Sequence, residues 1–163
     1  MKNDKIVSLK ILKKKISILK KKGKSIILCH GCFDILHFGH AIHFNQAKRK
    51  GDILVVSITK DKFVKKGKNR PIFNYRERAY LLSQLSSINF VTINNLSSSD
   101  DVIEIIKPDF YIKGKDYAQR KNKYNKNFDN EKNLVIKNGG KVFFTKGKSS
   151  SSTLAVKKLY EKV

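Results

Sequence analysis

The apolar residues of this chain alternate between the spacing of a helix and the continuous runs of a buried strand. After Ser8, a suitable helix N-cap, apolar residues recur every three or four positions as far as a stop at Gly23. Residues 25–29 and 52–58 are short, uninterrupted apolar runs, which are typical of buried parallel strands. The apolar spacing between Ser8 and Gly23 therefore predicts a basic amphipathic helix that packs on a sheet. Its apolar positions are Leu9, Leu12, Ile16 and Leu19.

The same alternation continues to the C-terminus and predicts an architecture. Strands separated by helices in this order indicate one doubly wound α/β domain of the Rossmann-like type, with a five-stranded parallel sheet. We divide it into an N-terminal helix, 1–24, that packs on a main domain, 25–163. The remaining predicted helices are 38–50, 74–85, 100–107, 130–138 and 151–161. The remaining predicted strands are 88–93, 109–113 and 141–145.

Composition excludes several classes of protein. Two cysteines and the absence of an 18-residue apolar run argue against a disulfide framework and a membrane span. Lysines interrupt the apolar positions of the N-terminus, so it does not resemble a secretory signal, and we expect a cytoplasmic protein without a membrane partner.

The net charge of +23 first suggests nucleic acid as a partner. However, 31 of the 36 basic residues are lysines spread over the whole chain, which favours compositional bias together with a site for small anions. We therefore do not expect a nucleic-acid partner. A non-catalytic basic module that binds nucleic acid remains the alternative from another functional class.

Residues 29–40, CHGCFDILHFGH, hold both cysteines and three of the four histidines. They follow the first predicted strand, at the edge where doubly wound sheets bind ligands. Cys29 and Cys32 with the two following histidines have a zinc-like spacing, but Cys29 belongs to the apolar strand, so we predict no metal site. The imidazoles of His37 and His40, with free N–H groups at the helix start near Gly39, instead suit a bound phosphate.

Five blocks in this order resemble the HxGH nucleotidyltransferase superfamily, which is cytidylyltransferase-like. They are most similar to the adenylyltransferase half of the bifunctional heptose-phosphate kinase/adenylyltransferases, and the similarity extends from about Lys5 to Leu159. The blocks are GCFDILHFGH (31–40), KGKNRPI (66–72), ERA (77–79), KPD (107–109) and KGKDY (113–117).

The resemblance implies transfer of a nucleoside monophosphate from a nucleoside triphosphate to a phosphate monoester, with release of pyrophosphate. It favours ATP and D-glycero-D-manno-heptose 1-phosphate as substrates, giving ADP-heptose, with Mg²⁺ bridging the triphosphate rather than held in a protein cage. The alternative within this chemistry is a cytidylyltransferase that uses CTP and glycerol 3-phosphate or a related phospho-alcohol. The resembling family also implies a homodimer.

The resemblance also implies site residues. His37, His40, Lys66 and Arg78 would be catalytic, contacting the phosphates of the triphosphate. His30 stands where many relatives carry Asn or Asp, so the resemblance does not decide whether the pockets for the base and the acceptor match those of the relatives. The implied nucleotide-binding residues are Gly31, Cys32, Phe33, Gly39, Lys68, Lys113, Asp116, Ser150, Ser151 and Ser152.

Overall fold

Strands and helices alternate through residues 3–118 and 127–146, the part of the chain that the computed structural model describes. The helices are α1 (Leu9–Lys21), α2 (Phe38–Lys48), α3 (Tyr75–Ser83), α4 (Asp100–Ile106) and α5 (Phe128–Lys137). The strands are β1 (Ile26–Gly31), β2 (Ile53–Thr59), β3 (Phe90–Asn94), β4 (Phe110–Lys113) and β5 (Lys141–Phe144). None of the helices in these two ranges is long and apolar enough to cross a bilayer. The helix predicted at 151–161 lies outside the described residues.

The five strands form one parallel sheet in the order β3-β2-β1-β4-β5. β1 lies at the centre and pairs with β2 on one side and β4 on the other. The chain moves outward from β1 to β3, then returns to the other side of β1 for β4 and β5. The strand order therefore reverses between β1 and β4, where sheets of this class bind their ligands. The predicted fold is confirmed.

Helices cover both faces of the sheet, which explains the continuous apolar runs in β1 and β2. One face packs against α2 and α3 through Phe44 and Leu82, among other residues. The opposite face packs against α1, α4 and α5, and there the helix predicted from the N-terminal pattern buries Leu12 and Ile16. The loops that lead from β1, β2, β3 and β4 into the following helices lie at the carboxyl ends of the strands.

The structure extends β1 by two residues beyond the predicted apolar run. His30 pairs in register with Ser57, and Gly31 pairs with Ile58, so Gly31 ends the strand rather than lying in the turn after it. A capping box stabilises the start of α3, because the Asn74 side chain accepts from Glu77 N and the Glu77 carboxylate accepts from Asn74 N. Single 3₁₀ turns, Asp61–Phe63 and Lys115–Tyr117, follow β2 and β4.

Helix α1 offers a direct test of its packing. Leu12 is fully buried, whereas the neighbouring Ile11 is 48% exposed. We expect Leu12→Ala to lower the free energy of unfolding by about 2–5 kcal/mol, because it leaves a cavity under the helix. The matched control Ile11→Ala should cost less than about 1 kcal/mol. Urea unfolding followed by circular dichroism measures both, and equal losses would contradict the described orientation of α1.

Candidate active site

The two histidines of the HFGH block lie against each other at the start of α2. His37 is the N-cap of the helix, with an extended backbone (φ −144°, ψ 170°), and its side chain makes no capping hydrogen bond. His40 follows on the first turn, and the two imidazole rings stack with centroids 3.9 Å apart and an interplanar angle of 29°. Gly39 lies between them in the same turn. The structure therefore brings together the two predicted catalytic imidazoles and the N–H groups of a helix N-terminus.

The turn after β1 supports this pair from below. Phe33 has a left-handed backbone (φ 48°). Its ring packs edge-on against His40, with centroids 5.4 Å apart, and at a tilt against Phe44 in the core, with centroids 5.1 Å apart. A Cβ added at Gly31 would lie 3.1 Å from the Phe33 ring, so a larger residue there would press on this support. Gly31 and Phe33 thus fix the position of His40.

The imidazoles are neutral near neutral pH. Burial is the main cause that lowers the pKa of His40 to about 3, and repulsion between a protonated His40 and His37, His43 and Lys66 adds to it. Burial and the charge of Lys66 also lower the pKa of His37. The Nδ1 atoms of both rings are buried without a hydrogen-bond partner among the described residues. An N–H donor left in that position would be costly, so we assign the ring proton to Nε2 in each case.

Lys66 reaches this site from the loop between β2 and α3. Its charge acts on both histidines and on the half-buried Cys32 in the turn after β1. The fully buried carboxylate of Asp34 holds the loop against that turn, since it accepts from Arg70 Nε and from Ile72 N (2.7 Å). Lys68 lies in the same loop, exposed to solvent.

Arg78 is fully buried, and its guanidinium joins three segments. It donates to the carbonyl oxygens of Phe73 (3.0 Å), Thr59 (2.8 Å) and Cys32, and pairs with Asp61 (2.6 Å). These contacts fasten the turn after β1 to the end of β2 and to the start of α3. A phosphate contact by Arg78 stays a prediction, while its observed contacts are those of a positioning residue.

Lys113, at the end of β4, lies in a buried ion pair. Its Nζ is 3.1 Å from Glu131 Oε2 on α5 and 4.6 Å from the ring centroid of Tyr117. Glu131 also accepts from Tyr111 Oη (2.8 Å) and Ser99 N (3.0 Å). Burial alone would raise the pKa of Glu131, but Lys113 and these hydrogen bonds lower it to about 2. The ammonium of Lys113 therefore faces α5, and a nucleotide contact by this residue stays a prediction.

The remaining predicted residues differ in their burial and in whether the structure describes them. Asp116 is exposed on the 3₁₀ turn after β4, whereas Cys29 is fully buried in the core, as predicted. Within residues 3–118 and 127–146, no group of three His, Cys, Asp or Glu side chains is arranged to hold a metal ion. The predicted serines, Ser150, Ser151 and Ser152, lie outside the described residues.

The profile of the cytidylyltransferase-like family matches residues 28–158, most of the chain. This chain belongs to the cytidylyltransferase-like family. The predicted resemblance is thus confirmed, and with it, at the level of the family, the prediction of a nucleotidyltransferase.

Curated relatives of this family member are much longer proteins. A bifunctional protein HldE from Aliarcobacter butzleri is 35% identical over 154 residues, which cover 93% of this chain and 31% of the relative. Another, from Nitratiruptor, is 45% identical over 101 residues, covering 61% of this chain and 22% of the relative. The chain thus spans less than a third of the length of these relatives.

Two solved structures share the architecture. The lipopolysaccharide core biosynthesis protein from Thermoplasma volcanium is 25% identical, with a TM-score of 0.61 over 79% of this chain and 100% of that one. The pantoate-beta-alanine ligase from Francisella tularensis, complexed with beta-gamma ATP and beta-alanine, has a TM-score of 0.63 over 96% of this chain and 77% of that one. Its 17% identity shows the fold alone.

The buried ion pair of this family member can be tested by removing one charge or both. We expect Glu131→Gln to lower the free energy of unfolding by about 3 kcal/mol, because it leaves the Lys113 ammonium buried without a counter-charge. The double variant Lys113→Met/Glu131→Gln should recover part of that loss. The single variant Lys113→Met completes the cycle, and the exposed Glu104→Gln is the matched control. Urea midpoints are measured for these four variants and for the unmodified protein. A double variant as unstable as the two single losses added together would exclude the coupling.

The buried histidines predict that stability falls on mild acidification. The pKa of His30 and of His43 is lowered to about 4, by burial first and then by the charge of Lys113. The unfolded chain, with histidine pKa values near 6.5, therefore binds more protons than the native state below that pH. Each residue should remove up to about 1.4 kcal/mol per pH unit as the pH falls from 6.5 towards 4. Urea midpoints at pH 7.5, 6.5 and 5.5 give the slope; unchanged midpoints would exclude the lowered pKa values.

Proposed function

We propose that this chain transfers a nucleoside monophosphate from a nucleoside triphosphate to a sugar phosphate and releases pyrophosphate. The proposed substrates are ATP and D-glycero-D-manno-heptose 1-phosphate, which would give ADP-heptose. The observation that carries the proposal is the stacked pair of neutral imidazoles, His37 and His40, at the start of α2 and the carboxyl edge of the sheet. We further propose that the protein acts in the cytoplasm as a homodimer.

The chemistry of such a transfer matches what this site contains. An oxygen of the acceptor phosphate forms a bond to the α-phosphorus, while the bond from that phosphorus to the α,β-bridging oxygen breaks. The electron pair of the broken bond leaves with pyrophosphate. Because the attacking oxygen is already ionised, no general base is needed, and the protein has to align the reactants and offset the developing charge.

The described side chains supply directed donors and positive charge. The Nε2–H groups of His37 and His40 would donate to phosphate oxygens, beside the free N–H groups at the start of α2. Lys66, whose charge already acts on both rings, would add an ammonium from the loop after β2. Neutral imidazoles with lowered pKa values act here as hydrogen-bond donors rather than as acids.

The donor set fits a metal ion that arrives with the nucleotide. The charge that acts on the rings of both His37 and His40 is that of Lys66, which is a cation and not a metal ligand. Residues 3–118 and 127–146 contain no group of three His, Cys, Asp or Glu side chains arranged to hold a metal ion. Mg²⁺ would therefore be held by triphosphate oxygens, where it would neutralise part of their charge.

The choice of substrates rests on sequence. The blocks KGKNRPI, KPD and KGKDY support an adenylyltransferase that acts on heptose phosphate, and the similarity to bifunctional HldE proteins over up to 93% of this chain supports the same choice. Similarity to the Thermoplasma protein of lipopolysaccharide core biosynthesis agrees with a sugar-phosphate acceptor.

Pyrophosphate release tests the proposal directly. The purified protein is given ATP or CTP with heptose 1-phosphate or glycerol 3-phosphate, and we expect turnover with ATP and heptose 1-phosphate. His40→Ala should lower kcat/KM by about 10²–10³-fold, because it removes a donor to the transition state. Gln84→Ala, an exposed residue at the end of α3, is the control and should leave the rate unchanged.

The same panel separates the alternatives. Turnover confined to CTP and glycerol 3-phosphate would contradict the proposed substrates but support the proposed type of reaction. The absence of pyrophosphate release with every pair of triphosphate and phosphate monoester would contradict the proposed enzyme. If RNA binding is also salt-sensitive and equally strong in His40→Ala and the unmodified protein, the result supports a nucleic-acid-binding module. Circular dichroism of each variant shows whether its fold is retained.

A further inference from the structure

Two side chains on one face of α2 fasten that helix to the end of β5. Gln46 Nε2 donates to the carbonyl oxygen of Lys146 (2.8 Å), and Gln46 Oε1 accepts from Lys146 N (2.9 Å). One turn earlier, His43 Nδ1 lies 2.9 Å from Thr145 Oγ1. A single glutamine amide thus pairs with both backbone groups of one residue, as a neighbouring strand would.

This contact lies where three elements meet at the carboxyl edge of the sheet. Thr145 N donates to the carbonyl oxygen of Lys113 (3.0 Å), so the residue bound by His43 also continues the pairing of β5 with β4. Helix α2 begins with the histidine pair, and His43 follows His40 by three residues, within one turn. The contact therefore connects the helix that carries the imidazoles to the far side of the topological switch point, between residues about 100 apart in the chain.

The contact does not depend on a charge on the histidine. Burial, followed by the charge of Lys113, lowers the pKa of His43 to about 4, and the ring is neutral at neutral pH. Gln46 and the backbone of Lys146 are neutral groups as well. The clamp formed by His43, Gln46, Thr145 and Lys146 thus consists of neutral, directional hydrogen bonds, which set a position more sharply than ionic attraction does.

We propose that His43 and Gln46 are positioning residues that hold the start of α2 at a fixed distance from the chain leaving β5, and so shape the triphosphate site. This inference rests on the proposed function. Neither side chain has to touch a reacting atom, since both act through the backbone of α2 and through residues 145–146. His43 lies one turn after His40 on α2, and the first turn of that helix carries the proposed phosphate donors. Loss of the clamp should therefore weaken triphosphate binding and leave the KM of the acceptor unchanged.

Variants of the clamp separate this role from a general loss of stability. Gln46→Ala removes both hydrogen bonds to Lys146, while Gln46→Glu keeps the acceptor for Lys146 N. Thr145→Val removes the hydroxyl but keeps the shape of the side chain. We expect the dissociation constant of ATP, measured by calorimetry, to rise about tenfold in Gln46→Ala, with a smaller rise in Gln46→Glu. Gln84→Ala on α3 is the matched glutamine control and should bind ATP as the unmodified protein does.

A second measurement shows whether the helix has been released. Hydrogen exchange of α2 in the nucleotide-free protein should be faster in Gln46→Ala and Thr145→Val than in the control. Adding His43→Asn to Thr145→Val should change the ATP affinity little further, because both substitutions remove the same contact. Faster exchange with unchanged ATP affinity would overturn the inference, since the clamp would then be structural only.

The inference and the proposed function fail in different ways. Weaker ATP binding by Gln46→Ala, together with no pyrophosphate release by the unmodified protein, would support the clamp and overturn the proposed transfer. Normal turnover and ATP affinity in both Gln46→Ala and Thr145→Val would overturn the clamp and leave the transfer intact. A selective rise in the KM of ATP, with the KM of the acceptor unchanged, supports both.

Discussion

The pairing of β1 with β2 on one side and β4 on the other is the constraint on which the rest of this structure depends. β1 is the central strand of the sheet, with helices over both faces, and its pairing with β2 continues through His30 and Gly31. The chain must leave this strand at the carboxyl edge, at the point where the strand order reverses. The turn that follows therefore delivers the start of α2, with its two imidazoles, to the one place in the sheet where loops from both halves can converge.

Charged groups buried beneath those loops hold them in place. Asp34 binds the loop after β2, Arg78 ties that loop to the turn after β1, and Glu131 keeps Lys113 under the end of β4. Burying such groups is costly unless each finds partners, and each has at least two in the described structure. These contacts also make the loops rigid, because a network of hydrogen bonds and ion pairs permits fewer loop positions than an apolar contact of similar size. The positions of the loops that line the site therefore depend on buried polar contacts beneath them.

The sequence predicts the local features of this architecture and few of its long-range contacts. Alternating apolar patterns identify each described strand and helix, and the HFGH block identifies the histidine pair, because these signals lie within a few residues of one another. Glu131 was missed, since a glutamate in an amphipathic helix resembles a surface residue until folding brings Lys113 against it. Arg70 and Gln46 were missed for the same reason: their partners are 36 and 100 residues away. Even β1 was predicted too short, because His30 is polar and its burial depends on Ser57 in the next strand.

The high positive charge of the chain and the neutrality of its histidines are two parts of one electrostatic arrangement. Surface lysines produce a field that attracts anions over distances comparable with the Debye length, but they are too flexible to orient a phosphate. The same positive surroundings, added to burial, keep the imidazoles unprotonated, so their N–H groups point in directions fixed by ring packing rather than by charge. Under the proposed function, a triphosphate that enters the site would reverse this balance, because its negative charge would raise the pKa of both rings and strengthen their hydrogen bonds to it. The site would therefore bind its ligand more firmly as charge accumulates on the departing pyrophosphate, which is the moment at which an enzyme of this kind gains rate.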